Sequence, residues 1–206
     1  MNIYKTFLSI FAFLHVGFSC LAQERPVKIE TKELPRRLAF YAINENEKDL
    51  DVKITIKGKN FRQSRATPRF IRVPATSKVH LQTLVVMRDK QPTYTYELEV
   101  NDSLSGRALK RDYELIKIEP RKKIVLYIPK RCGSCDSLIN SLDKSYYLYT
   151  SYVLAVNPEI KKQLKPAFGN HIELDSLEVP IVNMGGILHT RIENYEQLLE
   201  ELHKPE

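Results

Sequence analysis

At 206 residues, 43% apolar and 28% charged, the chain has the composition of a folded globular protein with room for one large domain or two modest ones, and not that of a disordered segment. A formal net charge of +7 and a pI near 9.2 would admit an acidic partner. Lys and Arg alternate with Asp and Glu along most of the chain, however, which fits a solvated basic surface and argues against nucleic acid as the partner.

Residues 1–22 read as a cleavable export signal. "MNIYK" is a short basic start, "TFLSIFAFLHVGFS" is apolar but too short to span a bilayer comfortably, and Cys20 and Ala22 are the small residues a signal peptidase reads. Cleavage after Ala22 would leave Gln23 as the N-terminus of a periplasmic or extracellular protein. Lipidation at Cys20 is the weaker alternative, because Gly17 stands where a lipoprotein signal usually has Leu; an uncleaved anchor is weaker still. No later segment approaches membrane-spanning length, so no span is expected after signal removal. Of three cysteines, the mature chain would keep only Cys132 and Cys135, in a compartment where thiols are readily oxidised.

Residues 23–119 read as strands. In "LDVKITIK" Leu50, Val52, Ile54 and Ile56 alternate with Asp51, Lys53, Thr55 and Lys57, predicting one buried and one exposed face. "YTYELEV" repeats the pattern with Tyr94, Tyr96, Leu98 and Val100 expected inward. Further strands are predicted in "VKIE" at 27, "RLAFYAI" at 37, "RFIRVP" at 69, "KVHLQTLVV" at 78 and "DYELIKI" at 112, several of them separated by turn-like breaks. Seven strands with no helix between them predict an all-β, immunoglobulin-like sandwich. No site is evident in this half: His80 has no second ligand nearby in sequence and reads as a surface or edge residue.

Residues 120–206 follow a different pattern. "KKIVLYIP" is a nearly continuous apolar strand of the kind buried on both faces. Next come a helix in "CDSLINSLDK", the strand "SYVLAV", and a helix in "NPEIKKQLKPAFG" with Asn157 as N-cap, Pro158 at its first position and Gly169 beyond its end. "VPIVNM", the turn "GG" and "ILHTRI" form a hairpin, and a last helix starts at "NYEQ", where Asn194 and Gln197 have capping-box spacing. The predicted order is β-α-β-α-β-β-α.

Cys132-Gly133-Ser134-Cys135 stands between the first of these strands and the first helix. A dithiol centre needs one reachable thiolate and a second thiol close by to resolve a mixed disulfide. At a helix N-terminus, unpaired N–H groups and the macrodipole favour negative charge and can lower a thiol pKa from about 8.5 to roughly 3.5–7.5. Lys130 and Arg131 add positive charge just before the motif. Cys132 is therefore assigned as nucleophile and Cys135 as resolving thiol. Two other readings of the pair stand beside this one. A zinc site would need further ligands, for which this half offers only His171, His189 and His203, none paired at metal spacing. A purely structural disulfide would close a very small loop and constrain the unfolded chain little.

With "IVLYIPKRCGSC" followed by "VPIVNMGGILHT", residues 120–203 resemble the thioredoxin superfamily, most closely its small glutaredoxin-like members. The resemblance implies an α/β thioredoxin-like domain at residues 120–206 with a redox-active CxxC. It also implies that Pro180 is a cis-proline facing the cysteines, and that Val179 offers its backbone N–H and C=O to an extended substrate segment. Three departures stand out: Arg131 replaces the usual tryptophan, apolar "VLY" replaces the strand's buried acid, and Gly-Ser lies between the cysteines. They leave the reduction potential open over the superfamily's range of about 150 mV.

The expected function is that of an exported thiol–disulfide oxidoreductase acting on protein cysteines, with no cofactor and no metal, supplied by an electron donor or acceptor outside this chain. Its alternative is a non-catalytic envelope interaction module with a structural CxxC disulfide. Copper handling is a third possibility, without a suitably spaced histidine or methionine to support it.

Overall fold

The computed structural model describes residues 25–63, 67–169 and 173–204. The export signal, with Cys20 and Ala22, and the cleavage product's Gln23 lie outside the described residues, as does His171. The described chain is rich in β-structure, with three sheets and three α-helices.

In the first half β1 (Lys28–Leu34), β2 (Arg37–Asn44), β3 (Leu50–Lys59), β4 (Phe61–Arg62), β5 (Ile71–Val73), β6 (Ser77–Val86), β7 (Thr93–Asn101) and β8 (Tyr113–Leu115) form two antiparallel sheets. One runs β1-β2-β6-β4, with β8 also on β6; the other runs β5-β3-β7. All seven predicted strands are present, and β4 is an added two-residue strand. The sheets share one core, in which Leu50, Val52, Ile54 and Ile56 of β3 pack with Phe40, Val79, Leu81 and Leu84 from the other sheet, as the period of two requires. Gly58 sits where β3 passes closest to β7: a Cβ there would lie 2.0 Å from the Thr93 carbonyl oxygen, so only glycine fits.

Two expectations for this half need correction. Asp51, expected outward, is fully buried, because Arg72 on β5 and the Ser105 backbone N–H close over its carboxylate. Tyr96 and Val100, expected inward, are each 46% exposed. β7 ends its sheet, and only Tyr94 and Leu98 reach the core.

The second half contains β9 (Ile124–Ile128), α1 (Cys135–Lys144), β10 (Tyr149–Val153), α2 (Pro158–Phe168), a single 3-10 turn at Leu174–Ser176, β11 (Ile181–Met184), β12 (Ile187–His189) and α3 (Tyr195–His203). The strand order is β10-β9-β11-β12, with β9 and β10 parallel and the other pairs antiparallel. Alternation along β11 explains how both faces are covered. Val182 and Met184 pack with Leu138 and Leu142 of α1 and Leu198 and Leu202 of α3, whereas Ile181 packs with Leu164 of α2 and with Leu154 and Leu174. Helix ends follow local chemistry. Asn194 Oδ1 accepts the Gln197 N–H at 2.9 Å, and Gln197 Oε1 accepts the Glu193 N–H at 2.8 Å. Asn157 instead precedes α2 without capping it; its Nδ2 donates to the Val153 carbonyl.

The core of the second half reaches back before residue 120. Ile116 and Ile118 pack into it, and Ile118 donates its N–H to the Tyr146 carbonyl at 2.7 Å while accepting from Leu148. The halves also meet directly: the Tyr147 hydroxyl donates to Glu47 Oε1 at 2.6 Å, with His203 Nε2 3.1 Å away.

Candidate active site

The chain leaves β9 at Ile128 and turns at Pro129, whose carbonyl accepts the Cys132 N–H at 3.4 Å. The helix then begins at Cys135, with Ser134 as N-cap and the Leu138 N–H on the Ser134 carbonyl. Cys132 was expected at the helix terminus itself; it lies two residues before the N-cap. The displacement arises because the Pro129 turn takes up Cys132, so the first helical bond forms only at Ser134. The first-turn N–H groups still open toward the cysteine loop, since they have no partners within the helix. Lys130 and Arg131 are exposed beside it, and so is Asp136 in the first turn. The local charge is therefore mixed, with the cations in excess.

Cys132 and Cys135 are joined as a disulfide with Cα atoms 5.6 Å apart. Their surroundings differ: Cys132 is half-buried, while Cys135 is only 2% exposed, on the face of α1 that carries Leu138 and Leu142. An attacking sulfur could reach the first cysteine, and the second is sheltered behind it.

Val179 and Pro180 come to the same place. The Gly133 N–H, between the cysteines, donates to the Glu178 carbonyl at 3.0 Å, so the segment entering β11 lies against the cysteine loop. Pro180 is buried and Val179 half-buried. Among the described residues, the Val179 N–H and C=O make no hydrogen bond. The expectation of a cis-proline is corrected: no described peptide bond is cis, and Val179–Pro180 has the trans form that an X–Pro bond prefers by about 0.5–1 kcal/mol.

Two residues of the site carried no signal in the sequence. Glu178 contributes only its backbone carbonyl, which any residue type would supply. Ser134 has the residue type of a helix cap but a helical φ of −92° and ψ of −9°, so its Oγ does not reach the helix N–H groups. It is buried without a hydrogen-bond partner among the described residues. Among the described residues, no group of three or more His, Cys, Asp or Glu side chains is placed to hold a metal ion.

Compared with protein-family models, with curated proteins and with solved structures, the chain matches none.

Proposed function

We propose that the protein is an exported thiol–disulfide oxidoreductase acting on protein cysteines, with a glutaredoxin-like, thioredoxin-type domain behind an immunoglobulin-like sandwich. The observation that carries this reading is the asymmetry of the pair: a reachable Cys132 bonded to a sheltered Cys135, beside a segment whose Val179 backbone groups bond to no described residue. The element order β9-α1-β10-α2-β11-β12-α3, with Cys132 between β9 and α1, Cys135 opening α1 and Pro180 just before β11, supports the domain assignment.

In the reducing direction the Cys132 thiolate attacks one sulfur of a client disulfide. A Cys132–client bond forms, the client S–S bond breaks, and the departing thiolate takes a proton. The Cys135 thiolate then attacks the Cys132 sulfur, releasing the second client thiol. Two electrons have passed to the client, and the Cys132–Cys135 disulfide present in this structure is the product. A dithiol donor outside the chain restores the reduced form; the same steps in reverse oxidise a client dithiol. Placement before the α1 N-terminus and next to Lys130 and Arg131 favours the thiolate of Cys132 over the thiol.

The test is thiol titration and insulin-type disulfide reduction with the purified mature protein. A Cys132 pKa well below about 8.5, and turnover lost in Cys132→Ser, are expected. An ordinary pKa together with unchanged turnover in the variant overturns the reading.

A further inference from the structure

The sandwich has a notch in its side. β2 lines one edge of β6 along its length, but on the opposite edge β8 pairs only with Ser77–Val79 and β4 only with Val85 and Val86. Among the described residues, no strand occupies the interval 80–84. In the facing sheet β5 covers only Leu50–Val52 of β3, so among the described residues no strand pairs with residues 53–57 on that side. Residues 54–57 of β3 and 80–83 of β6 line a cavity of about 780 Å³, within the size range of ligand sites. Four residues along each wall correspond to about 13 Å of extended chain.

We infer that this notch binds an extended, acidic segment of a partner polypeptide, laid between the two open sheet edges. Its floor is apolar, with Ile54, Ile56, Ile71 and Leu81 all buried, and offers pockets for alternate side chains. Its rim is basic, and among the described residues no carboxylate lines it. Arg111 is pinned by one nitrogen: Nη1 donates to the His80 and Leu81 carbonyls at 3.1 and 3.0 Å and meets His80 Nδ1 at 3.1 Å. Its Nε and Nη2 bond to no described residue, which leaves one edge of a fixed guanidinium for a carboxylate to engage with two bonds. Arg69, exposed on the same rim, forms no ion pair among the described residues. Lys57 is paired with Glu97, but both are largely exposed, so that pair exchanges readily for a ligand.

Side chains occupy the edge groups a neighbouring strand would use. Gln63 Nε2 donates to the Ile56 carbonyl at 3.1 Å and Gln82 Nε2 to Gln63 Oε1 at 3.2 Å, while Arg111 covers two carbonyls of β6. An incoming chain would exchange these bonds for its own backbone, as in strand addition at a sheet edge. This inference is independent of the cysteine chemistry.

The test uses the mature chain from Gln23, a fluorescein-labelled (Glu-Val)3 peptide for anisotropy, and backbone NMR for mapping. (Lys-Val)3 and dodecanoate serve as comparison probes. The expected result is binding of the acidic peptide, with shifts centred on residues 54–57 and 80–83 and a loss of about tenfold in Arg69→Glu, the worth of one charge-assisted contact. Arg111→Gln should weaken binding further. Because Arg111 also supports the edge, Arg69→Glu is the deciding variant. No binding, equal binding of the basic peptide, shifts elsewhere, indifference to Arg69→Glu, or occupation by dodecanoate alone would overturn the inference.

Discussion

The Gly133 N–H reaches the Glu178 carbonyl at 3.0 Å, and this one backbone bond holds the loop between the cysteines to the segment that enters β11 at Pro180. A Cβ at Gly133 would meet nothing within 4 Å, so Gly133→Ala should leave stability and exchange nearly unchanged. Gly133→Pro removes the donor and should cost about 1 kcal/mol. It should slow exchange with protein disulfides while dithiothreitol reduces the Cys132–Cys135 bond at the original rate. Equal slowing with both reagents would mean that the bond shapes the cysteines themselves and not the client segment.

The unequal exposure of the two sulfurs predicts unequal consequences of their loss. Cys132→Ser should abolish exchange outright. Cys135→Ser should leave Cys132 able to attack but not to be released, accumulating client adducts that run as extra bands on non-reducing gels and vanish with reductant. An envelope interaction module with a fixed disulfide would give no such bands.

Asp51 and Arg72 should set the acid limit of the sandwich. Burial acts to raise the Asp51 pKa and is the largest single influence. The Arg72 hydrogen bond, the Ser105 N–H and the Arg72 charge together outweigh it and hold the carboxyl below its ordinary 3.8. A depressed folded pKa contributes stability above 3.8 that is lost as pH falls through the folded value. Asp51→Asn removes the carboxylate paired with the Arg72 guanidinium, leaving it only the more distant charge of Asp49, and should cost about 3–5 kcal/mol at pH 7. Urea melts should also show less further loss below pH 4 than in the parent protein. A cost under about 1 kcal/mol, the scale of an exposed pair, would rule the pair out as a mainstay of this half.

Tyr147 should set the alkaline limit. Burial first, then its bond to Glu47 and the neighbouring Tyr146, push its hydroxyl far above the ordinary 10.0. Tyr149 is raised to about 12 by burial and its bond to Asp143. Both stay protonated in the folded chain while the unfolded chain ionises. Their stabilisation is therefore complete below pH 10 and is lost progressively above it. Tyr147→Phe should cost roughly 1.5–3 kcal/mol, the range for a hydrogen bond to a charged group, and should flatten the decline between pH 10 and 11 in denaturant melts. An unaltered decline would assign the alkaline transition to other groups.

Much of this architecture is legible in residue order because its causes are local. Leu50, Val52, Ile54 and Ile56 announce a buried strand face by alternation alone, and Leu138 and Leu142 announce a helix face by their spacing. Asn194 announces a helix start, because a cap needs only a side-chain oxygen within reach of nearby N–H groups. Cys132 and Cys135 mark the candidate site for the same reason: two thiols separated by two residues are neighbours in almost any turn.

Asp51 marks where that legibility stops. Its outward register is correct, but its burial depends on Arg72 and Ser105, 21 and 54 residues away along the chain. Tyr96 and Val100 have the same limit, since whether an inward face is covered depends on how far the opposite sheet extends.

By itself, the order of amino acids determined the strands, the helices and the cysteine pair, since backbone preference and hydrophobic periodicity act over a few residues. Tertiary structure alone decided that Glu178 lies against Gly133 and that the sandwich carries a notch between β3 and β6. Each of these depends on backbone groups from distant segments meeting or failing to meet. Backbone N–H and C=O are nearly the same in every residue, so no side-chain pattern could have announced them.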